Sequence, residues 1–385
     1  MLVAQVVWRR RGLGAAVALA GLLMACSSSP HKPAELEKLT PSIAGKVVWS
    51  ERLSGVSFPL GAQAVKVDGM GQFVVAGDNG VVMALQADTG KQLWQLEVGR
   101  KLAAGVGSDG RRHAVVTQDN ELVVIDSSKG SPTILWRKPL GGTVSTAPLV
   151  AGERVFVLNV DRAAQAFDAL DGRKLWELRR PGEALTLAQA GVLAAYKDTL
   201  VLSQGPRLTG VDPLTGSVRW EAQVGSTRGT NEVERLADLV GPGLRIGDVL
   251  CARAFQWAVG CVDLPKGVLI WSRQVGGREG IGGDAELIFG ADGADRLTAW
   301  RNGTGDVLWT NEQYLYRGLS APLAVGKTVL IGDFEGYVHF LARDTGNALL
   351  RLSTDGSAIV GRPLAMGPTV LVVTRKGGLF AMRPE

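Results

Sequence analysis

Two segments of this 385-residue chain carry glycine spacings that can cradle a phosphate. Gly105-Val106-Gly107-Ser108-Asp109-Gly110 satisfies GxGxxG, and Gly326-Lys327-Thr328 matches the end of GxxxxGK[ST]. Both patterns need a helix directly after the glycines, so that backbone N–H groups point at the anion. The first is followed by the strand-like HAVVTQ, and the second has Ala321 where a glycine is required and no helix after it. Both read as turns between strands. His31, His113 and His339 are the only histidines, they are far apart, and no GxSxG occurs, so a Ser-His-Asp hydrolase has nothing to build on. Asp88, Asp168, Asp212 and Asp263 stand in turns ahead of glycines, where a carboxylate is expected to bond its own backbone rather than act as a general acid or base. Cys251 and Cys261 lie five residues either side of Gln256 in DVLCARAFQWAVGCVD. An antiparallel hairpin there sets them opposite each other, and in an oxidising compartment a cross-strand disulfide is expected, with two buried thiols as the alternative. No histidine is near enough in sequence to make them a zinc site.

The third cysteine belongs to a different pattern. Arg9, Arg10 and Arg11 precede an apolar run, Gly12 to Met24, which ends in Leu23-Met24-Ala25-Cys26. A basic n-region, a short apolar core and a small residue before cysteine make a secretory leader, too short to span a bilayer comfortably. It resembles a bacterial lipoprotein signal, which implies cleavage of residues 1–25, lipid on Cys26 and, with Ser27 following, sorting to the outer membrane. Loss of residues 1–25 leaves 39 basic and 37 acidic side chains, a balance of +2. That is no footprint for nucleic acid. Residues 26–44, polar with three prolines, are expected to form a flexible lipidated tether.

The elements that must position any site follow from a repeat. A glycine followed four residues later by tryptophan occurs at Gly45/Trp49, Gly90/Trp94, Gly172/Trp176, Gly216/Trp220, Gly267/Trp271 and Gly305/Trp309. Gly130/Trp136 adds two residues, and Gly346/Leu350 replaces the tryptophan. The eight anchors are 38 to 51 residues apart. A period near 40–45 marks a propeller blade of four strands. Residues 143–179 show one unit: TVSTAPLV, RVFVLNV, AAQAFDA and RKLWELR, separated by turn residues, form a meander of strands A to D with the tryptophan on D. GKVVWSERL at 45–53 is a strand D alone, and the last residues supply A, B and C without a D. The expected fold is therefore all-β: an eight-bladed propeller over 45–385, of four-stranded antiparallel blades, closed by the N-terminal strand pairing with the last blade. Eight equivalent positions, seven of them tryptophan, argue for packing between blades rather than ligand binding.

Function is expected where the ring departs from its own rule. The longest interval separates Trp220 from Trp271, its excess lying in GSTRGTNEVERLADLVGPG (225–243) between one strand D and the next strand A. Asn231 can cap a short helix there, with Glu232 and Glu234 in its first turn. The preceding D–A connection, RRPGEALTL (179–187), adds Leu185 and Leu187 outside the strands. In an up-and-down blade both connections emerge on one rim. Leu185 and Leu187 beside Glu234, Arg235 and Asp238 give an apolar centre with a polar border, the anatomy of a protein-binding patch. The plainer alternative is that the leucines plug the gap between blades.

Lipobox, tether, eight blades and the segments ALTL and EVERLAD together resemble the BamB family of the outer-membrane β-barrel assembly machinery, across essentially the whole mature chain. The resemblance implies a non-enzymatic periplasmic scaffold that binds the periplasmic domains of BamA, works among the other subunits of that complex, and supports folding of outer-membrane proteins. It carries a Leu-x-Leu-Arg motif onto Leu185 and Leu187, with Ala188 where arginine is expected, and an Asp-x-Asp pair onto Asp238, with Val240 at its second position. Arg228 or Arg235 are the nearby candidates for the missing charge. Two other classes share the architecture. A dehydrogenase using pyrroloquinoline quinone would need a metal and clustered charged groups at the ring centre, and its relatives carry adjacent cysteines that this chain lacks. A carbohydrate-binding propeller would need exposed rim aromatics, for which Trp257, Tyr314 and Tyr316 are the candidates. No cofactor, metal or catalytic residue is expected.

Overall fold

The computed structural model describes residues 31–180, 185–226, 230–232 and 235–384. Cys26, Arg228, Glu234 and the leader lie outside the described residues. From Ala34 onward the chain is one compact unit. It contains eight four-stranded sheets, each a consecutive antiparallel meander except the last. Blades 1 to 7 start at Pro59, Gly107, Leu149, Leu193, Leu239, Gly282 and Leu323. Blade 8 comprises Ile359–Met366, Thr369–Thr374 and Gly378–Pro384, and takes Gly45–Arg52 as its strand D, in register from Gly45 opposite Pro384 to Arg52 opposite Gly378. The first strands of successive blades lie side by side around the centre, blade 8 against blade 1.

Burial explains why the inner strands read as continuous apolar runs. Strand B of blade 1 (Met70–Gly77) and strand C (Val81–Gln86) have Phe73 to Ala76 and Val82 to Leu85 buried without alternation. Each blade is covered on both faces by its neighbours, so both sides of the pleat must be apolar. The apolar core accordingly divides into eight clusters, one at each joint between blades.

A local irregularity aims each anchor. In all eight blades the register between strands C and D slips at the residue just before the anchor, as at Leu175 before Trp176 and Ile270 before Trp271. A bulge bends and twists its strand, and here the bend turns the ring toward the next blade. The glycine and the tryptophan four residues later serve different joints. Gly172 of blade 3 (φ +72°) lies under Trp136 of blade 2, where an added Cβ would sit 2.6 Å from the indole, and Trp136 Nε1 donates to Ala169 O of the same turn at 3.1 Å. Trp49, Trp176 and Trp309 repeat the bond to the next blade's turn at 2.9, 3.0 and 2.8 Å, and Trp271 does so at 2.5 Å. Gly130, whose turn has two extra residues, has nothing within 4 Å of such a Cβ. Asp168, Asp212 and Asp263 bond their own turns as expected, to Leu170 N, Leu214 N and Lys266 N. Asp88 does not: it stands two residues before its glycine instead of four, and accepts from Arg383 across the ring closure.

Three sequence expectations need correction. The tether was expected to run free to Ala44, but from Ala34 it is a strap on blade 7. Ala34 N–H donates to Leu315 O and Ser42 N–H to Leu349 O, both at 2.9 Å, while Leu36 and Ile43 pack onto the cores either side. Arg317 and Arg351 hold the strap's carbonyls at Ala34 (2.9 Å) and Glu37 (3.1 Å). Beneath it Arg351 Nε donates to His339 Nδ1 at 3.3 Å, which leaves the proton on Nε2 facing Asp333 at 3.0 Å. Burial pulls the His339 pKa down, in keeping with this neutral form. Second, the long connection ends at Asp238, not Gly243. Leu239–Ile246 is strand A of blade 5, interrupted by an irregularity between Val240 and Leu244 that hides its period. Gly241 is required there, because a Cβ would lie 2.0 Å from Gly191 O. Third, the described residues around Asn231 are not helical, although Arg235 N–H donates to Asn231 O at 3.2 Å; the rest of the expected helix, at 233 and 234, lies outside the described residues.

Cys251 and Cys261 face each other across strands B and C of blade 5 and are joined, with S–S 1.91 Å. Of the rim aromatics, Tyr314 is buried, Trp257 packs against the joint between blades 4 and 5, and Tyr316 is half-buried. They do not form an exposed aromatic platform.

Candidate partner-docking rim

The D–A connections that follow blades 3 and 4 meet on one rim, and a turn from a third place locks them. Asp238, the last residue before strand A of blade 5, accepts the backbone N–H of Leu187 at 2.9 Å. Its other oxygen accepts Nε (3.1 Å) and Nη2 (2.8 Å) of Arg162. Arg162 comes from the B–C turn of blade 3, at φ +68°, and also reaches Leu185 O at 3.4 Å. Two nitrogens on one carboxylate, with both side chains about 85% buried, make a charge-assisted latch far more ordered than a surface ion pair. The turn's backbone is set by Arg162 N–H to Asn159 O at 3.0 Å and Ala163 N–H to Asp161 Oδ1 at 3.1 Å. Phe255 N–H donates to Asp238 O at 2.9 Å and fixes the connection to blade 5.

The latch shapes what is shown to solvent. Leu185 is exposed and Leu187 half-exposed, held by backbone bonds and not by a strand. Along strand D of blade 3, Glu177 takes Lys174 and Arg179, which hold its carboxyl down to about 2. Arg180 pairs with Glu221 of blade 4, and Arg179 lies 3.9 Å from Asp161. An apolar pair inside a border of compensated charge suits recognition of a protein surface better than catalysis. Leu185, Leu187 and Asp238 are thus brought together. Arg235 is half-buried in the turn three residues before Asp238, and Glu234 lies outside the described residues.

Sequence reasoning missed Arg162. It sought the missing guanidinium in Arg228 or Arg235, near in sequence, whereas the arginine bonded to Asp238 is 76 residues away. The only signal was a bulky residue in a two-residue turn that must take positive φ.

An eight-bladed ring with repeats of this kind defines a quinoprotein-like propeller, a class that includes both scaffolds and enzymes. Comparison with known proteins narrows it. Residues 78–311 match the family model described as outer membrane protein assembly factor BamB. The outer membrane protein assembly factor BamB of Burkholderia pseudomallei (strain K96243) is 33% identical over 368 residues, covering 94% of each chain. The chain belongs to the BamB family of outer membrane protein assembly factors. Its fold is that of the BamB crystal structure from Moraxella catarrhalis, with TM-score 0.77 and 21% identity over 88% of this chain and all of that one. A quinohemoprotein alcohol dehydrogenase from Comamonas testosteroni shares the ring at TM-score 0.67 and 14% identity, covering 88% of this chain and 76% of the enzyme. The ring alone therefore does not separate scaffold from enzyme.

Proposed function

We propose that this chain is a non-enzymatic scaffold of outer-membrane protein assembly. Anchored through lipid on Cys26 and facing the periplasm, it docks the periplasmic domains of BamA on the rim formed by Leu185, Leu187 and Asp238, with Glu234 and Arg235 at the border. It acts as one copy within a hetero-complex and supports folding and insertion of β-barrel proteins. The observation that carries this reading is the latch: Arg162 and Asp238 fix Leu187 by its backbone and leave the two leucines on display. An apolar pair held in place by such a latch, inside a border of charge, has the anatomy of a protein-binding patch.

Leu187→Asp puts a charge into the centre of the patch without touching the latch, which uses only the backbone of residue 187. The affinity for soluble BamA periplasmic domains should fall by about 2 kcal/mol, roughly thirtyfold, in a calorimetric titration, while the melting temperature stays put. Undiminished affinity in that variant overturns the docking site. Mass spectrometry of the membrane-extracted protein tests the anchor, since acylation must vanish in Cys26→Ala.

A further inference from the structure

Behind the latch lies a small recess of about 30 Å³ that opens to solvent, lined by Ser145, Thr146, Asn159, Gln189 and Ser203 together with the latch residues. Asn159 is the residue that does not balance. Its side chain is 3% exposed, yet neither Nδ2 nor Oδ1 has a hydrogen-bond partner among the described residues. Buried amides in native proteins are almost always paired. Its backbone is fixed in the turn: Asn159 N–H donates to Ala163 O at 2.9 Å, and its carbonyl accepts Arg162 N–H. Glycine is required at two positions packed against these side chains. A Cβ on Gly142 would sit 2.8 Å from Asn159 Nδ2, and one on Gly191 would sit 2.6 Å from Ser203 Oγ.

We infer that this recess is a binding subsite for a neutral amide of the docked partner, an asparagine or glutamine side chain or a peptide group, paired with Asn159. The inference rests on the docking rim proposed above, with which the recess shares Arg162, Leu187 and Asp238. The chemistry selects an amide on three grounds. Asn159 offers a donor and an acceptor side by side, and another amide is the complement of that pair. Thr146 Oγ1 and Ser203 Oγ already accept Gly191 N–H (2.9 Å) and Val192 N–H (3.0 Å), so each hydroxyl keeps its proton to donate to an incoming carbonyl. The only charges on the lining, Arg162 and Asp238, neutralise each other at 2.8 Å, so an ionised ligand would lose its water without gaining a counter-ion. In this arrangement Leu185 and Leu187 supply area, and Asn159 supplies selectivity among apolar surfaces.

The test compares the wild type, Asn159→Leu and Leu187→Asp for affinity to soluble BamA periplasmic domains, with a thermal melt of each. Asn159→Leu should weaken binding about tenfold while its melting temperature holds or rises, because an unpaired buried amide has been replaced by an apolar side chain of similar size. A residue that merely supports the fold would lower both. Independently of any variant's folding, the Asn159 side-chain NH₂ resonance of the wild-type protein should shift on addition of the partner domains. If Leu187→Asp loses binding while Asn159→Leu keeps wild-type affinity and the NH₂ resonance stays in place, the recess holds only water and the inference falls, with the rim intact. If Leu187→Asp also binds normally, the rim itself is wrong.

Discussion

The joints between blades and the rim beyond blades 3 and 4 are made from the same strands and turns, yet they treat polar groups in opposite ways. At a joint, the indole covers a glycine, its N–H finds a carbonyl of the neighbouring turn, and the apolar cluster is shut away from water. At the rim, two leucines face solvent, a buried ion pair holds loop backbone, and an amide is left without a partner. The joint is complete in the free molecule. The rim reads as half of an interface.

The comparison breaks first, if it is wrong, at a tryptophan. Trp136→Ala should cost about 4 kcal/mol of unfolding free energy in urea, by the loss of a large buried side chain and the cavity it leaves. A cost under about 1 kcal/mol would mean that the joints do not carry the ring. Acid should act on the same joints. His113, wholly buried between Ser108 Oγ (2.8 Å) and Ser127 Oγ (2.9 Å) and against Trp94, has its pKa lowered to about 4 by burial. The unfolded chain takes up that proton below about pH 6.5 and the folded one only near 4, so the stability contribution is whole above 6.5 and drains away between the two. Wild type should lose about 3 kcal/mol more than His113→Gln between pH 7 and 4. Glycines sharpen the picture further. Gly172→Ala suffers both positive φ and the clash with Trp136, about 3 kcal/mol together, whereas Gly130→Ala at φ +83° meets nothing and should cost about 1 kcal/mol. Smallest of all, Leu187→Asp should move stability by less than about 0.5 kcal/mol, in contrast to its effect on binding.

What the amino-acid sequence revealed follows the same division. Blade number, strand order and closure through Trp49 were legible because the joints repeat one solution, and six exact Gly-to-Trp spacings with two near-copies outweigh local ambiguity. The leucines of the rim were legible as irregularity. The latch was not, because Asp238 and Arg162 occur once, on different blades, and nothing periodic connects them. Asn159 was hidden for a further reason: an asparagine in a turn usually bonds its own backbone, and only the packed structure shows that this one does not. The strap escaped notice because two apolar residues, Leu36 and Ile43, in an otherwise polar stretch are too few to signal burial.

Closure by the N-terminal strand also sets an order of events during export. Gly45–Arg52 crosses into the periplasm before any other strand of the ring, yet its hydrogen-bonding partner, Gly378–Pro384, arrives last. Seven meanders can assemble locally as they emerge, since their strands pair with sequence neighbours. The eighth joins residues more than three hundred positions apart and must wait until Gly378–Pro384 has emerged. Until then one face of blade 1 and one edge of the last hairpin stand bare. Strand Gly45–Arg52 is thus a fastener that closes only once Gly378–Pro384 has been made, and a polypeptide lacking that strand would remain an open arc.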